Sequence, residues 1–488
     1  LPPNSELTLE NNTRLLCVNR SSGPHSLLYV AGRPNWEFGP MRRALESDPE
    51  LQLRALIRVA KREPKFTFKG RSGESSNPLF RGFQNGENNP VQRYDQPVLV
   101  RVNVDNAQEL AAGFPKTAEE LFAFKALILD DLEAEFFSPE QLRLLQRFVT
   151  ERGGGLLMLG GMESFEGGAW HETPVENILP VWIGKHPLPT TSTTAETAWQ
   201  LTRDGLLTPW LRRRPSETDE TQRIRQLPKL EILNNVQGIK PAASVLALAV
   251  NAEGERPAMV MQRSGLGRTA ALLAGDLFHW GIGNPEHAKD LAKLWRQIAR
   301  WLVSDTPNPV DLHLVSPPNA PLTQLLIRVR DPQAQPVENA NVQVQVRRIG
   351  EPESAAVTLL AQPAPEPGTY TLEYPGTIQA ALIARASAQT VDGTPLGSGT
   401  LGWVQDTAEA EWNAASPNLD PLRALAHKTG GALASPTELD ALVKRIQNAP
   451  HLVTETRTRP LWHSSPFFLA ALLCLVAEWT LRRRNGAA

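Results

Sequence analysis

Four acidic side chains stand at the end of a predicted strand in the first third of the chain. The strand is Ala126–Asp130, and its last residue is followed by Asp131, Glu133 and Glu135. Because open α/β folds bind ligands at the carboxyl ends of their strands, carboxylates there can serve acid–base chemistry or bind a metal. Asp130 is therefore a candidate catalytic residue, and Asp130, Asp131 and Glu133 are candidate metal ligands. The alternative is a solvated acidic loop that caps the next helix.

Two other side chains, Ser164 and His279, are candidates for nucleophilic or acid–base chemistry. A serine nucleophile on an α/β fold is typically presented by a Gly-x-Ser-x-Gly elbow. Met162 and Glu166 occupy the two glycine positions around Ser164, so a serine that caps or packs its loop is predicted instead. His279 could face the same cleft as the acidic residues, and the alternative is a structural histidine beside Trp280.

These candidates lie where strand-like and helix-like patterns alternate. Ser26–Gly32 and Leu51–Val59 are predicted strands, and Asn35–Ser47 between them is a predicted helix with Trp36 facing inward. A βαβ order of this kind implies a parallel sheet. We therefore expect one α/β domain over residues 26–305, after an N-terminal connector of residues 1–25.

Local signals support the same domain. Ser138–Gln141 is a capping box with proline at the first helical position, and Pro285–Val303 has the apolar stripe of an amphipathic helix. Residues 61–96 interrupt the alternation with many Lys, Arg, Gly, Asn and Pro residues. Because long insertions are commonly functional, this one is expected to contact a partner or to fold over the domain.

The composition changes at a proline-containing junction near residue 305. Alternating apolar patterns separated by turns predict a small antiparallel sandwich, immunoglobulin-like in class, over residues 309–406. Two short amphipathic helices then form a predicted connector over residues 417–450.

The C-terminal region predicts a single membrane anchor. A helix over residues 461–481 would be about 31 Å long, close to the hydrocarbon thickness of a bilayer. Interfacial tryptophans, an apolar interior and a terminal arginine triplet are typical of such a helix, and the triplet favours a cytoplasmic tail over residues 482–488. The residues that carry this prediction are Trp462, Phe467, Phe468, Trp479, Arg482, Arg483 and Arg484. The alternative is a buried C-terminal helix.

Composition excludes several classes of protein. The 488 residues include 50 Lys+Arg and 52 Asp+Glu, so the formal charge is 50 − 52 = −2, which argues against nucleic-acid binding by bulk charge. Two cysteines exclude a disulfide scaffold and a cysteine-built zinc site. Neither Gly32–Asn35 nor Gly265–Gly267 has the spacing of a nucleotide-binding loop, so no cofactor is expected.

Several segments resemble a known group of proteins. Ala126–Val181, which contains the glycine-rich run Arg152–Phe165, resembles the class I glutamine amidotransferase-like domain of large bacterial membrane proteins. Four other segments resemble the same group: Leu28–Trp36, Ser76–Phe83, Gly113–Glu120 and Arg459–His463 (RPLWH). The resemblance implies a flavodoxin-like parallel sheet in the α/β domain. It also implies neighbours such as a von Willebrand factor A domain and a MoxR-type ATPase system.

The same resemblance implies that the domain has lost its chemistry. An active member carries a nucleophilic cysteine on the turn after a central strand, near backbone N–H groups that stabilise the oxyanion. In this chain the turn is Gly160-Gly161-Met162, so a methionine stands where the cysteine is expected. Cys17 precedes the first strand and Cys474 lies in the predicted anchor, so neither can replace it.

We therefore expect a non-catalytic, membrane-anchored binding or scaffold protein whose bulk lies outside the cytoplasm, in the periplasm. Its expected partners are the membrane and other membrane or periplasmic proteins, in a homo- or hetero-oligomer. The alternatives are a hydrolase or sugar-processing enzyme that uses the cleft at the strand edge, and a structural subunit of a membrane-associated assembly.

Overall fold

The computed structural model of the chain describes residues 17–18, 23–60, 98–106, 108–185, 196–315, 322–375, 380–405, 419–447, 457–458, 460 and 463–486. The predicted insertion 61–96, most of the connector 1–25 and Trp462 lie outside these residues. The chain divides into two compact units, Leu1–Ala410 and Glu411–Ala488.

The first part of the larger unit alternates strands and helices, as the sequence predicts. Its strands are β1 (His25–Ala31), β2 (Leu51–Ala60), β3 (Val98–Val102), β4 (Ala126–Asp130), β5 (Gly155–Leu159), β6 (Val181–Trp182), β7 (Ala198–Leu201), β8 (Gly238–Ile239), β9 (Ser244–Asn251), β10 (Gly254–Ser264) and β11 (Gly267–Leu272). Its α-helices are α1 (Phe38–Glu46), α2 (Ala118–Phe122), α3 (Pro139–Thr150), α4 (Pro174–Ile178), α5 (Arg203–Leu207), α6 (Glu217–Arg225) and α7 (Pro285–Val303).

Nine of these strands form one mixed sheet in the order β3-β2-β1-β4-β5-β11-β10-β9-β7. The five strands from β2 to β11 in this order are parallel, and the strands that flank them pair antiparallel. Every residue of β4 and β5 is buried, as expected for strands covered on both faces. The carboxyl ends of the parallel strands therefore meet at one edge of the sheet, which we call the carboxyl edge.

Two helices show how local sequence fixes the ends of elements. The Ser138 hydroxyl accepts a hydrogen bond from Gln141 N, and the Gln141 side chain returns one to Ser138 N, which completes the predicted capping box of α3. The Asn284 side chain accepts hydrogen bonds at the start of α7, where Pro285 opens the helix. The predicted bounds of α7 are thereby confirmed.

The interpretation of Trp36 was wrong. Helix α1 begins at Phe38, and the Trp36 side chain, predicted to face inward, is 78% exposed. The reason is a contact with a distant residue. The Asn35 side chain donates to Asp130 Oδ1 at 2.9 Å, and this hydrogen bond holds the residues before α1 at the carboxyl edge.

Two four-stranded antiparallel sheets follow in the same unit. Their strands are β12 (Val310–Leu314), β13 (Leu322–Val329), β14 (Asn341–Arg348), β15 (Val357–Leu360), β16 (Gln362–Pro363), β17 (Thr369–Pro375), β18 (Ala380–Gln389) and β19 (Pro395–Gln405). The sheets have the orders β12-β13-β17-β16 and β15-β14-β18-β19, and inward side chains such as Ile327 and Val344 form one core. Alternation of buried and exposed residues along β14 produces this arrangement. The immunoglobulin-like class and the domain boundaries stay predictions.

The smaller unit contains the helices α8 (Leu419–Thr429), α9 (Leu439–Gln447) and α10 (Ser465–Arg484). Within the described residues, α10 alone is long and apolar enough to cross a membrane, by length and composition. Helix α10 begins four residues after the predicted start and ends three residues after the predicted end. The later start arises because Ser464 and Pro466 mark the beginning of the helix. The arginine triplet 482–484 therefore forms the last helical turn.

Candidate functional site

The carboxyl edge has a switch point between β1 and β4. From β1 the chain crosses to β2 on one side, whereas β4 pairs with β1 on the other side. Open α/β sheets bind ligands at such points. Gly32 N donates to Asp130 O at 3.0 Å, and a Cβ atom on Gly32 would lie 2.0 Å from Asp131 O, so only glycine permits this close approach.

Asp130, predicted as a candidate catalytic residue, lies at this switch point but is completely buried. Its carboxylate accepts hydrogen bonds from the Tyr29 hydroxyl and from Asn35 Nδ2, the latter at 2.9 and 3.1 Å. Burial raises the pKa of Asp130 to about 7, although these hydrogen bonds favour the ionised form. The side chain therefore joins β1 to β4 and is not open to a substrate from solvent.

Glu37 is a second buried carboxyl group at the same edge, and sequence reasoning missed it. Only 3% of its surface is exposed, Oε1 accepts a hydrogen bond from Phe278 N at 2.9 Å, and Oε2 has no hydrogen-bond partner. Burial raises the pKa of Glu37 to about 8, and the nearby charges of Asp130 and Asp276 add to the effect. An acid just before a helix is common in sequences, so its type alone gave no signal.

The loop after β11 brings Asp276 and His279 to this edge. Asp276 Oδ2 accepts hydrogen bonds from Glu231 N at 2.6 Å and from Ile232 N at 3.3 Å, and burial raises the pKa of Asp276. His279 Nδ1 lies 3.7 Å from Asp276 Oδ2, and the His279 side chain is 35% exposed. The histidine therefore faces Asp276 and solvent.

The turn after β5 carries Met162 at its tip, where this residue is 67% exposed. The two backbone N–H groups that flank this residue are both occupied. Gly161 N donates to Asn234 Oδ1 at 2.9 Å, and Glu163 N donates to Asp131 Oδ1 at 2.6 Å. Asn234 Nδ2 also donates to Gly161 O at 2.9 Å. The turn is thus fixed by side chains that occupy these two N–H groups, which are then not available to an oxyanion.

Ser164 lies on the same turn but has no base. The residue is 1% exposed, and its hydroxyl makes no hydrogen bond. A serine nucleophile is activated by a base within hydrogen-bond reach. The structure therefore places Ser164, Asp130 and His279 on adjacent loops without joining them into a nucleophile–base pair.

Arginines form ion pairs with Asp131 and Glu133, two of the three acidic residues that the sequence suggested as metal ligands. Arg33 Nε lies 2.7 Å from Asp131 Oδ2, and Arg58 Nη2 donates to Glu133 Oε2 at 2.6 Å. Burial alone would raise the pKa of Glu133, but hydrogen bonds from Arg58, from the Glu133 backbone and from Glu163, together with the charge of Arg58, outweigh it and hold this pKa at about 2. Glu163 lies 3.4 Å from Arg58. Among the described residues, no group of three His, Cys, Asp or Glu side chains could hold a metal ion.

Exposed apolar side chains surround these buried charges. We call Trp36, Met162, Ile232 and Ile282 the apolar rim; they are 78, 67, 39 and 63% exposed. Trp36 stacks on Phe278 with 6.3 Å between ring centroids. Each rim residue lies on a loop at the carboxyl edge or on a segment hydrogen-bonded to one, as Ile232 is to Asp276. Single exposed apolar residues are normal, whereas large contiguous apolar patches are commonly interaction sites.

Solved structures with some similarity to this chain include a ThuA-like protein from Bacteroides uniformis, with 10% identity and a TM-score of 0.29 over 58% of this chain and 95% of that one. An exo-β-1,4-mannosidase from Opitutaceae bacterium strain TAV5 has 11% identity and a TM-score of 0.27, and the match spans 57% of this chain and 35% of the enzyme. A β-galactosidase from Halorubrum lacusprofundi has 14% identity and a TM-score of 0.18, over 52% and 32% of the two chains.

Comparison with curated proteins gave no match. A family model described as "Putative glutamine amidotransferase" matches residues 96–187, which include β3, β4, β5 and the turn that carries Met162. The matched residues include Ala126–Val181, the segment whose sequence resembles the class I amidotransferase-like domain. Residues 96–187 therefore form a glutamine amidotransferase-like domain segment.

Proposed function

We propose that this protein is a non-catalytic, membrane-anchored binding protein whose amidotransferase-like domain binds a partner protein at the carboxyl edge. One observation carries the proposal. At the turn where an active enzyme needs a cysteine and free backbone donors, Met162 is exposed and the N–H groups of Gly161 and Glu163 are bound by Asn234 and Asp131. Such a turn can contact a partner but cannot start acyl transfer.

The apolar rim supports a protein partner. Methionine and aromatic side chains are enriched at the centre of protein interfaces, where they exclude water around polar groups. Here Trp36 and Met162 flank ion pairs formed by Arg33 and Arg58. The partner is an apolar segment of another membrane or periplasmic protein.

Cross-linking at the apolar rim tests this proposal. A photoreactive side chain at position 36 or 162 of the full-length protein in native membranes should give one partner adduct. With the photoreactive group at position 162, the additional substitution Trp36→Ser should reduce the yield of this adduct about tenfold. Position 266 is the matched control, because Leu266 is 54% exposed in the turn before β11, at the opposite edge of the sheet. Equal adducts from position 266, or none from the rim, would refute the proposal; an adduct of twice the mass would identify a second copy as the partner.

Helix α10 supports the membrane anchor and its orientation. Its 20 residues give a length of about 30 Å, and none of its apolar segment is buried in the protein. Arg483 lies over the Trp479 ring at 5.2 Å, a pairing of cation and aromatic ring suited to the headgroup region. In this proposal the C-terminus is cytoplasmic, and both the α/β part and the two antiparallel sheets, immunoglobulin-like in class, lie in the periplasm.

Truncation and protease access check the anchor. Ending the chain before Ser464 should release the protein from carbonate-washed membranes, because the removed helix is the apolar segment in contact with lipid. In spheroplasts of the full-length protein, external protease should remove an N-terminal tag and leave a C-terminal tag intact. Retention of the truncated chain in washed membranes would exclude α10 as the anchor.

The rival function is a hydrolase or sugar-processing enzyme, and one observation favours it. Two carboxyl groups at the carboxyl edge, Glu37 and Asp130, have pKa values raised to about 8 and about 7. Carboxyl groups with strongly raised pKa values are common at acid–base sites. Glycoside or ester hydrolysis by the purified chain that Glu37→Gln abolishes would favour the enzyme over the binding protein.

A further inference from the structure

A small cavity lies between β7, the segment that follows it and helix α7. Its walls include Trp199, Leu201, Trp280 and Leu294, and the charged residues Arg213, Arg223 and Asp290 also line it. The cavity volume is about 20 Å³, which is room for one water-sized particle. We call it the Arg213 cavity.

Arg213 is buried in these walls, and the nearby carboxylates of Glu220 and Asp290 attract its guanidinium without forming an ion pair with it. The residue is 7% exposed, and Nη1 donates to Trp210 O at 2.9 Å and to Gln297 Oε1. These acceptors are neutral, and among the described residues no carboxylate forms an ion pair with the Arg213 guanidinium. Nη2 has no hydrogen-bond partner. A buried guanidinium in this position is costly unless an acceptor joins it.

The acidic groups nearby are already used by other arginines. Asp290 accepts a bidentate pair from Arg214 at 3.2 Å, and Glu220 pairs with Arg223 at 2.7 Å. Three guanidinium groups and two carboxylates give a local charge of 3 − 2 = +1. Burial, together with the nearby Arg223, lowers the pKa of Arg213 to about 10, which still leaves it charged at neutral pH.

We propose that the Arg213 cavity binds one small monovalent anion of the size of chloride. The volume excludes carboxylates, phosphate and sulfate, and the local charge selects an anion over a cation. A buried water typically makes two to four hydrogen bonds. Arg213 Nη2 is the one buried side-chain nitrogen of the cavity wall without a hydrogen-bond partner among the described residues, so a single anion matches it better than a water that needs several partners.

The anion would join two parts of the fold. Leu211 and Leu227 come from the segment after β7, and Leu291 and Leu294 come from α7; all four line the cavity. A ligand that binds only the folded state stabilises it by mass action. Halide should therefore raise the Tm of the protein independently of ionic strength.

Chloride NMR and thermal unfolding of the full chain in detergent test the site. We expect ³⁵Cl line broadening that bromide displaces and gluconate does not, and a Tm higher by about 2–5 °C when chloride replaces gluconate at equal ionic strength. Arg213→Met should remove both effects. The matched control Arg225→Met changes an exposed arginine on α6 and should keep both.

Two outcomes would overturn the site. One is the absence of displaceable ³⁵Cl broadening in the unchanged protein, which means that the cavity holds water or is empty. The other is a chloride effect in Arg213→Met as large as that in the unchanged protein. If Arg213→Met does not fold, displacement of the broadening by bromide in the unchanged protein, measured beside Arg225→Met, still decides between these results. Neither outcome depends on the apolar rim, so the proposed function can fail while this site stands.

Discussion

Glu37→Gln should raise the free energy of unfolding by up to about 5 kcal/mol at pH 9 and change it little at pH 4. The pKa of Glu37 is raised from 4.5 to about 8 in the folded protein, and each unit of pKa difference corresponds to about 1.36 kcal/mol. Between these values the folded state holds a proton that the unfolded state has released. Stability therefore falls as pH rises through this window, and the loss is complete above about pH 8.

Glutamine suits this position because it resembles the protonated carboxyl group in shape and keeps an oxygen that can accept from Phe278 N. The measurement is chemical unfolding of the full chain in detergent at pH 4, 7 and 9. Glu135→Gln is the matched control, since Glu135 is exposed near the same edge and its change should be within about 0.5 kcal/mol at every pH. A gain that does not depend on pH, or a loss at pH 9, would show that Glu37 is not held protonated.

The titration of Glu37 is shared with its neighbours. Asp130 and Asp276 both raise the pKa of Glu37, so the ionised form of either neighbour makes the loss of the Glu37 proton less favourable. The Asp130 pKa of about 7 places one further titration step in the same pH range.

Glu37→Gln also distinguishes the proposed binding protein from the rival enzyme. It should leave partner binding at the apolar rim intact, and it would abolish an acid–base activity.

Local signals made the elements of the fold predictable. The Ser138 capping box and the apolar stripe of α7 depend on residues three or four apart, so the sequence alone places these helices. The uninterrupted apolar runs of β4, up to Asp130, and of β5 predict burial on both faces in the same way. The position of Met162 on the turn after β5 follows from that order.

Long-range contacts explain what could not be predicted. Asn234 fixes the Met162 turn from 73 residues away, and nothing in its own neighbourhood indicates this. Trp36 is exposed because Asn35 bonds Asp130, 95 residues later in the sequence. Glu37 is buried by a loop 241 residues away. Side chains whose surroundings come from distant segments have no local pattern, and the candidate site is built mainly from such contacts.

Arg58 has the second large expected effect, because it ties the end of β2 to the loops after β1, β4 and β5. Its side chain is 5% exposed, and the Glu133 side chain is 19% exposed. Nε donates to Gly32 O at 2.9 Å, while Nη2 donates to Glu133 at 2.6 Å and lies 3.4 Å from Glu163. Removing one partner of a buried ion pair leaves an uncompensated charge.

Arg58→Met should therefore lower the free energy of unfolding by about 3–5 kcal/mol at pH 7. The Glu133 pKa of about 2 lies below its ordinary 4.5, so the stability that this pair contributes is present above pH 4.5 and is lost as pH falls toward 2. The double variant with Glu133→Gln should recover part of the loss, and this coupling should vanish near pH 2. The exposed pair Arg147–Glu151 on α3 is the matched control, where Arg147→Met should cost under about 1 kcal/mol. An additive double variant would mean that Arg58 stabilises the fold through Gly32 and Glu163 rather than through Glu133.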